Sequence, residues 1–154
     1  MLLRLCETIA AGVILMSIKT YSELIALPTF EERYRYLRLG GSVGVDTFGF
    51  NRYLNQLFYQ RSQLWKHIRD EVIIRDNGCD LGIDSRAIYG RIIIHHMNPI
   101  TMDDLINESD FLTNPEFLIC TSHDTHMAIH YGDEKHLMTG PIERTKNDTC
   151  PWRR

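Results

Sequence analysis

Histidine is the residue type in this chain that most clearly suggests chemistry. Five of the seven histidines lie in two short groups, which are His95 with His96 and His123 with His126 and His130. His126 and His130 are four residues apart, so on a helix their imidazoles would project from one face and could share a metal ion. Because two such ligands bind a divalent ion weakly, we expect a third ligand from outside the helix.

The dipeptide His95-His96 can supply that third ligand. The branched apolar run at 88–94 predicts a β-strand that stops at the two histidines. Because successive strand residues point to opposite sides, only one of the two can easily bind the same ion. The other imidazole, with an ordinary pKa of about 6.5, is suited to act as a general base toward water. The two groups together predict a metal-dependent hydrolytic site.

Either group alone is weak evidence. A His-x-x-x-His pair on a helix is more often part of a surface or core than of a metal site, and a His-His dipeptide means little by itself. Their conjunction after a strand favours the metal site. His67 and His136 lie outside the two groups, so we interpret them as structural or incidental.

Helical segments are predicted before the strand. Thr20 or Ser22 can cap a first segment, Pro28 can open the next, and Gly40-Gly41 ends it. Its arginines, Arg33, Arg35 and Arg38, are interpreted mainly as a solvated surface, with a phosphate-contacting patch as the alternative. A Gly-rich connection at 40–49 and a helix at 51–59 follow. A third helix over 62–76 carries an apolar stripe of Leu64, Trp65, Ile68, Val72 and Ile73.

The second half alternates strand, connection, strand and helix. Thr101 caps a short helix at 102–106, Asn114-Pro115 marks a turn, and 117–120 predicts a second strand. Ser122 or Thr125 can cap a last helix that reaches Ile129 or Tyr131 and is closed by Gly132. The predicted fold class is therefore α+β.

These segments carry a family resemblance. The sequence RIIIHHMN at 91–98, LICTSHDTHMAIHYGD at 118–133 and SQLWKHIRDEVIIRDNGCDLG at 62–82 together resemble the HNH nuclease family, especially small bacteriophage HNH proteins. The similarity covers roughly 41–133. It implies that the N-terminal helices are followed by a ββα-metal motif. It also implies hydrolysis of DNA phosphodiesters, by nicking or double-strand cleavage, to 5′-phosphate and 3′-hydroxyl ends.

The resemblance also implies a role for each histidine. His95, His126 and His130 would be metal ligands and His96 the general base, with His123 as an alternative ligand. The cofactor would be one divalent ion, Mg²⁺ or Mn²⁺, although three imidazoles also suit Zn²⁺ or Ni²⁺.

The sequence departs from the family pattern in two places. Several members bind a structural zinc through four cysteines, but here Asp80-Leu81-Gly82 follows Cys79, and Thr125 stands where a cysteine would. Phe117 occupies the position of the family's middle asparagine, which braces the connection between the strands. Asn114 is the nearest substitute.

DNA is the expected partner. The formal net charge of −3 argues against an indiscriminate nucleic-acid coat, so contact would be local. Candidate phosphate contacts are Arg69, Arg75 and Arg91. The alternative for the first two is a salt bridge to Asp70, Glu71 or Asp76.

The length of 154 residues fits one globular domain. We divide it into a non-native or disordered leader at 1–15, a helical region at 16–60, a nuclease core at 61–137 and a polar tail at 138–154. The apolar stretch before Met16 is too short to span a bilayer as a helix, and Met16 is our preferred start, with a buried N-terminal helix as the alternative. Four scattered cysteines, without a Cys-x-x-Cys pair, indicate a reduced, intracellular protein. The resemblance to bacteriophage proteins implies the cytoplasm of a bacterial host cell, and we expect no membrane partner. The oligomeric state stays open.

Two other functions remain open. One is a non-catalytic DNA-binding module that a metal holds together, and the other is a metal-dependent hydrolase of RNA or of a small phosphodiester. The chain lacks a His-Glu-x-x-His arrangement, which disfavours a metallopeptidase.

Overall fold

The computed structural model describes residues 17–39, 59, 62–132 and 134–137. Helices in these residues are α1 (Tyr21–Ile25), α2 (Phe30–Leu37), α3 (Gln63–Arg75), α4 (Met102–Ile106), α5 (Asp110–Thr113) and α6 (His123–Tyr131). The strands are β1 (Ile93–His96) and β2 (Leu118–Thr121), and short 3-10 turns lie at Asp80–Gly82, Pro115–Phe117 and Glu134–His136. This mixture of helices with a small sheet confirms the predicted α+β class.

Side-chain caps begin most of the helices, and those of Thr20, Thr101 and Ser122 were predicted. The capping side chains that accept a backbone N–H are Thr20 for α1, Thr29 for α2, Ser62 for α3, Thr101 for α4 and Ser122 for α6. Pro28 does not open α2, because Thr29 and Glu32 form a capping box that starts the helix at Phe30. Gly132, with φ of 71°, ends α6 as predicted. Helix α5 was not predicted, since four residues are too few to show a helical period.

The two strands pair antiparallel, with Ile93 opposite Thr121 and His96 opposite Leu118. The prediction that the first strand covers 88–94 and stops at the histidines is wrong, because β1 begins at Ile93 and contains both histidines. The preceding segment pairs elsewhere: the Ile88 N–H donates to the Gly78 carbonyl, and Ala87 bridges to Cys79. The segment before β1 therefore pairs with the turn that follows α3 and does not extend the strand.

The small sheet separates two core clusters. On one side, Ile119 packs with residues of α1, α2 and α6; on the other, Leu118 and Cys120 pack with Val72 of α3. Directly opposite residues of an antiparallel pair share a face. His95, opposite Ile119, therefore faces α6, whereas His96, opposite Leu118, faces α3.

Two surface predictions are corrected. Leu64 was placed in the apolar stripe of α3, but its side chain is 57% exposed, since the buried face of that helix runs through Trp65, Ile68 and Val72. Arg33 is not a solvated residue. It is 8% exposed and donates to the carbonyls of Leu27, Leu81, Gly82 and Ile25, so it ties α2 to the turn after α3.

Several predictions fall on residues outside the described part of the chain. These are the leader at 1–15, the Gly-rich connection, nearly all of the helix at 51–59, the tail at 138–154, and Cys6 and Cys150. Within the described ranges, none of the helices has the length and apolar character needed to cross a bilayer.

Candidate metal centre

Three of the predicted ligands converge between β1 and α6. His95 comes from the third position of β1, while His126 and His130 lie one turn apart on α6. One ligand nitrogen from each of the three lies within 4.8 Å of the other two. Their ring centroids are 5.3 Å apart for His95 and His126, 5.0 Å for His95 and His130, and 4.4 Å for His126 and His130. This group could hold a metal ion.

The His95 side chain supplies an independent sign of a ligand. It is 1% exposed, and its Nε2 is buried without a hydrogen-bond partner. An unsatisfied buried polar atom costs about 1–3 kcal/mol, so folded proteins rarely leave one without a purpose. A metal ion at this position would satisfy the nitrogen, and three imidazoles are a donor set that divalent transition metals accept. The residues therefore fit a metal.

The electrostatics of the centre keep two of its imidazoles neutral. Burial lowers the pKa of His95 well below its usual range, and the neighbouring His130 and His126 lower it further. Burial lowers the pKa of His126 to about 4, and the neighbouring His130 and His123 act in the same direction. Because only the neutral imidazole has a lone pair for a metal, these two histidines are ready to bind an ion at neutral pH.

His96 lies on the other face of β1 and has a different environment. Its Nε2 lies 3.1 Å from the Leu112 carbonyl oxygen and 3.0 Å from the Tyr59 hydroxyl. The Trp65 ring stacks on the imidazole at 5.6 Å between centroids, with planes 13° apart. Since a carbonyl only accepts, Nε2 carries the proton, and Nδ1 is the unprotonated nitrogen of the neutral ring. Burial lowers the pKa of His96 to about 4.

One of the neighbours of His96 could be predicted from the sequence. Trp65 was placed on the apolar stripe of α3, and strand alternation puts one of the two histidines on that side. Leu112 and Tyr59 carried no signal, because they reach His96 from distant points of the chain.

His123 lies outside the convergent group. It occupies the first position of α6, its side chain is 72% exposed, and its Nδ1 is 3.5 Å from the Asp124 carboxylate. The alternative of His123 as a ligand therefore finds no support in its position.

Asn114 and Phe117 both brace the connection that leads into β2. The Asn114 side chain accepts the Glu116 N–H, and so caps the 3-10 turn before the strand. Phe117 packs against Phe111 at 4.7 Å between centroids, and its carbonyl accepts the Met97 N–H next to β1. A polar cap and an aromatic pair thus hold the segment where the family pattern has an asparagine.

The predicted phosphate contacts divide into internal and exposed residues. Arg75 is only 22% exposed at its side chain. It pairs with Asp76 at 2.8 Å, donates to the Pro115 and Leu118 carbonyls and lies over the Tyr21 ring. The salt-bridge alternative therefore accounts for Arg75, and its position does not support a phosphate contact.

The other two arginines are more accessible. Arg69 is 3.8 Å from the exposed Asp70 carboxylate and 3.4 Å from the Ile92 carbonyl. Arg91 is exposed and precedes Ile92 directly. The two arginines therefore flank the same residue just before β1.

Comparisons with protein-family models, with curated proteins and with solved structures find no match to this chain.

Proposed function

We propose that this chain is a metal-dependent DNA endonuclease of the HNH type. The observation that carries the proposal is the convergence of three imidazoles between β1 and α6, with a fourth histidine next to one of them in the chain. His95 faces His126 and His130 as a third imidazole, whereas the adjacent His96 points to the opposite side and is held by a carbonyl at one nitrogen. The order β1, β2, α6 around the three histidines supports a ββα-metal motif.

His95, His126 and His130 would hold one divalent ion. By affinity three imidazoles favour Zn²⁺, Ni²⁺ or Cu²⁺, but a site with open positions in a magnesium-rich cell also works with Mg²⁺ or Mn²⁺. When bound, the ion would supply a positive charge that stabilises the negative charge developing on the phosphate and on the leaving oxygen.

His96 would act as the general base. Its Nε2–H stays bonded to the Leu112 carbonyl, which leaves Nδ1 to take a proton from water. With a pKa near 4, the ring is neutral at physiological pH, so Nδ1 keeps its lone pair. The Trp65 face would stabilise the imidazolium once it forms, because the face of an indole ring attracts cations.

Arg69 and Arg91 would make the contacts with DNA phosphates. Both lie beside Ile92, immediately before the strand that carries the histidines. Contacts of this kind position a duplex without reading its sequence. The net charge of −3 fits a protein that meets DNA through one small basic area.

The deciding experiment is cleavage of supercoiled plasmid after chelation, with Mg²⁺, Mn²⁺, Ni²⁺ or Zn²⁺ added back. His96→Gln is the sharpest variant, because its amide N–H can still donate to the Leu112 carbonyl while it offers no basic nitrogen. Loss of a general base should slow cleavage about 10²- to 10⁴-fold, with metal affinity unchanged. His67→Gln, at an exposed histidine on α3, is the matched control and should cleave like the wild type.

A second function has one observation in its favour. Trp65, Tyr59 and the Leu112 carbonyl enclose much of the His96 ring, as expected of a structural histidine in a non-catalytic, metal-stabilised DNA-binding module. In that case wild type would bind metal and DNA but cut no DNA with any ion, and His126→Ala would unfold the domain. RNA and small phosphodiesters, offered in the same assay, test whether another substrate is preferred.

A further inference from the structure

A buried carboxylate lies beneath the start of the helix that carries His126 and His130. Asp80, in the turn after α3, is 5% exposed. Its Oδ1 accepts the Ser122 N–H at 3.1 Å, and its Oδ2 accepts the hydroxyls of Ser122 at 2.9 Å and Thr125 at 2.5 Å. All three donors belong to the first turn of α6 or to its cap.

The carboxylate is compensated without a cation. Among the residues that the structure describes, no Lys, Arg or His forms an ion pair with Asp80. Its charge instead meets three hydrogen-bond donors and the positive end of the α6 dipole. An isolated buried charge would be costly, so this network must keep its geometry to be tolerated.

The turn that carries Asp80 is itself fixed. The Asp80 N–H donates to the Arg86 carbonyl, and the buried Arg33 holds the carbonyls of Leu81 and Gly82. Asp76, four residues earlier, accepts the Cys120 N–H in β2. Asp76 and Asp80 thus connect the end of α3 and the turn that follows it to β2 and to the start of α6.

We propose that Asp80 is a positioning residue for the metal centre. Thr125, which it binds, directly precedes His126, and His130 follows one turn later. The third ligand, His95, comes from β1, so the spacing of the three nitrogens depends on how the start of α6 is seated. The inference rests on the metal site of the proposed function and is independent of DNA cleavage.

The test uses the hydroxyl of Thr125 and the charge of Asp80. Thr125→Val removes one hydrogen bond to Asp80 with little change of shape, whereas Thr125→Ser keeps a hydroxyl at this position. Asp80→Asn keeps the size of the side chain but replaces one accepting oxygen with a donor. Val72→Ala, in the core cluster behind β2, is a destabilised control that leaves the network intact.

Zn²⁺ and Ni²⁺ affinities of the full chain are measured by competition with a chelator, at a temperature where every variant is folded by circular dichroism. Loss of a group that orients a ligand typically costs about 10- to 100-fold in metal affinity, and we expect that range for Asp80→Asn and its lower end for Thr125→Val. Thr125→Ser and Val72→Ala should bind like the wild type. The Co²⁺ absorption spectrum should change in Asp80→Asn and Thr125→Val, and should stay the same in Thr125→Ser and Val72→Ala.

Each result decides the proposal. If Thr125→Val and Asp80→Asn keep the wild-type affinity and spectrum, Asp80 only stabilises the fold and the inference is wrong, even if the protein is a nuclease. The same conclusion follows if Val72→Ala weakens metal binding as much as they do. If Asp80→Asn does not fold, the comparison of Thr125→Val with Thr125→Ser decides alone. A wild type that binds no metal overturns the metal site and this inference with it, whereas a wild type that binds metal without cutting DNA overturns the nuclease alone.

Discussion

Mild acid should unfold the metal-free protein, because its buried histidines must be neutral in the folded state. The pKa values of His96 and His126 fall to about 4, and that of His95 falls well below its usual range. An unfolded histidine titrates near 6.5. Below that pH the unfolded chain binds more protons than the folded one, so stability is complete above about pH 6.5 and is lost as the pH falls toward 4.

The size of the effect follows from these values. At about 1.4 kcal/mol for each pH unit between the folded and unfolded pKa, His96 contributes about 3 kcal/mol that is lost across this range. His126 contributes less, because its ring is partly exposed and solvent screens it. His95 adds in the same direction. The sum is comparable with the total stability of an ordinary domain, about 5–15 kcal/mol.

The assay is urea unfolding from pH 7.5 to 4 in the presence of a chelator, followed by circular dichroism. Carboxylates affect the free energy of unfolding in a lower pH range. The hydrogen bond from Ser22 lowers the pKa of Glu116, so the stability that Glu116 contributes is lost only below the ordinary carboxyl pKa. His96→Gln should flatten the dependence by about 3 kcal/mol, whereas His67→Gln should leave it unchanged. A stability that stays level down to pH 4.5 would refute the argument that these imidazoles are buried and neutral.

Three further predictions concern stability. Metal at about 100 times its Kd should raise the free energy of unfolding by about 2.7 kcal/mol, and His126→Ala should abolish the rise seen in thermal unfolding. Arg75→Met should cost about 3 kcal/mol, because it leaves Asp76 as a buried charge without its partner, while Arg69→Met at the more exposed site should cost less than about 0.5 kcal/mol in the same urea titration. Gly132→Ala should lower the free energy of unfolding by about 1 kcal/mol, seen as a lower urea midpoint. The φ angle at this helix end is 71°, so an added Cβ strains the backbone even though, in the described part of the chain, no atom beyond its immediate neighbours lies within 4 Å of it.

The sequence predicted the elements whose signals are local. Thr101 and Ser122 cap the helices that they were expected to cap, and Gly132 ends the last one. The spacing of His126 and His130 places both imidazoles on one face, as helical geometry requires. These features depend on residues only a few positions apart, so a single sequence carries them.

The features that could not be predicted depend on distant partners. The start of β1 is set by the four residues of β2 that pair with it. Arg33 is buried because carbonyls about 50 positions later need its guanidinium. From the residues alone, either His95 or His96 could have been the third ligand, and the register of the sheet gives that place to His95.

The split origin of the three imidazoles bears on the order of events during folding. His95 and His126 are separated by 30 residues, which include α4, α5 and β2. The three can meet only after β1 and β2 have paired and α6 has docked, so an ion that binds there would find its complete set of ligands late. A ligand of the folded state that is absent from the folding transition state slows unfolding and leaves folding at its own rate. The ion would therefore lengthen the lifetime of the folded state without making the chain fold faster.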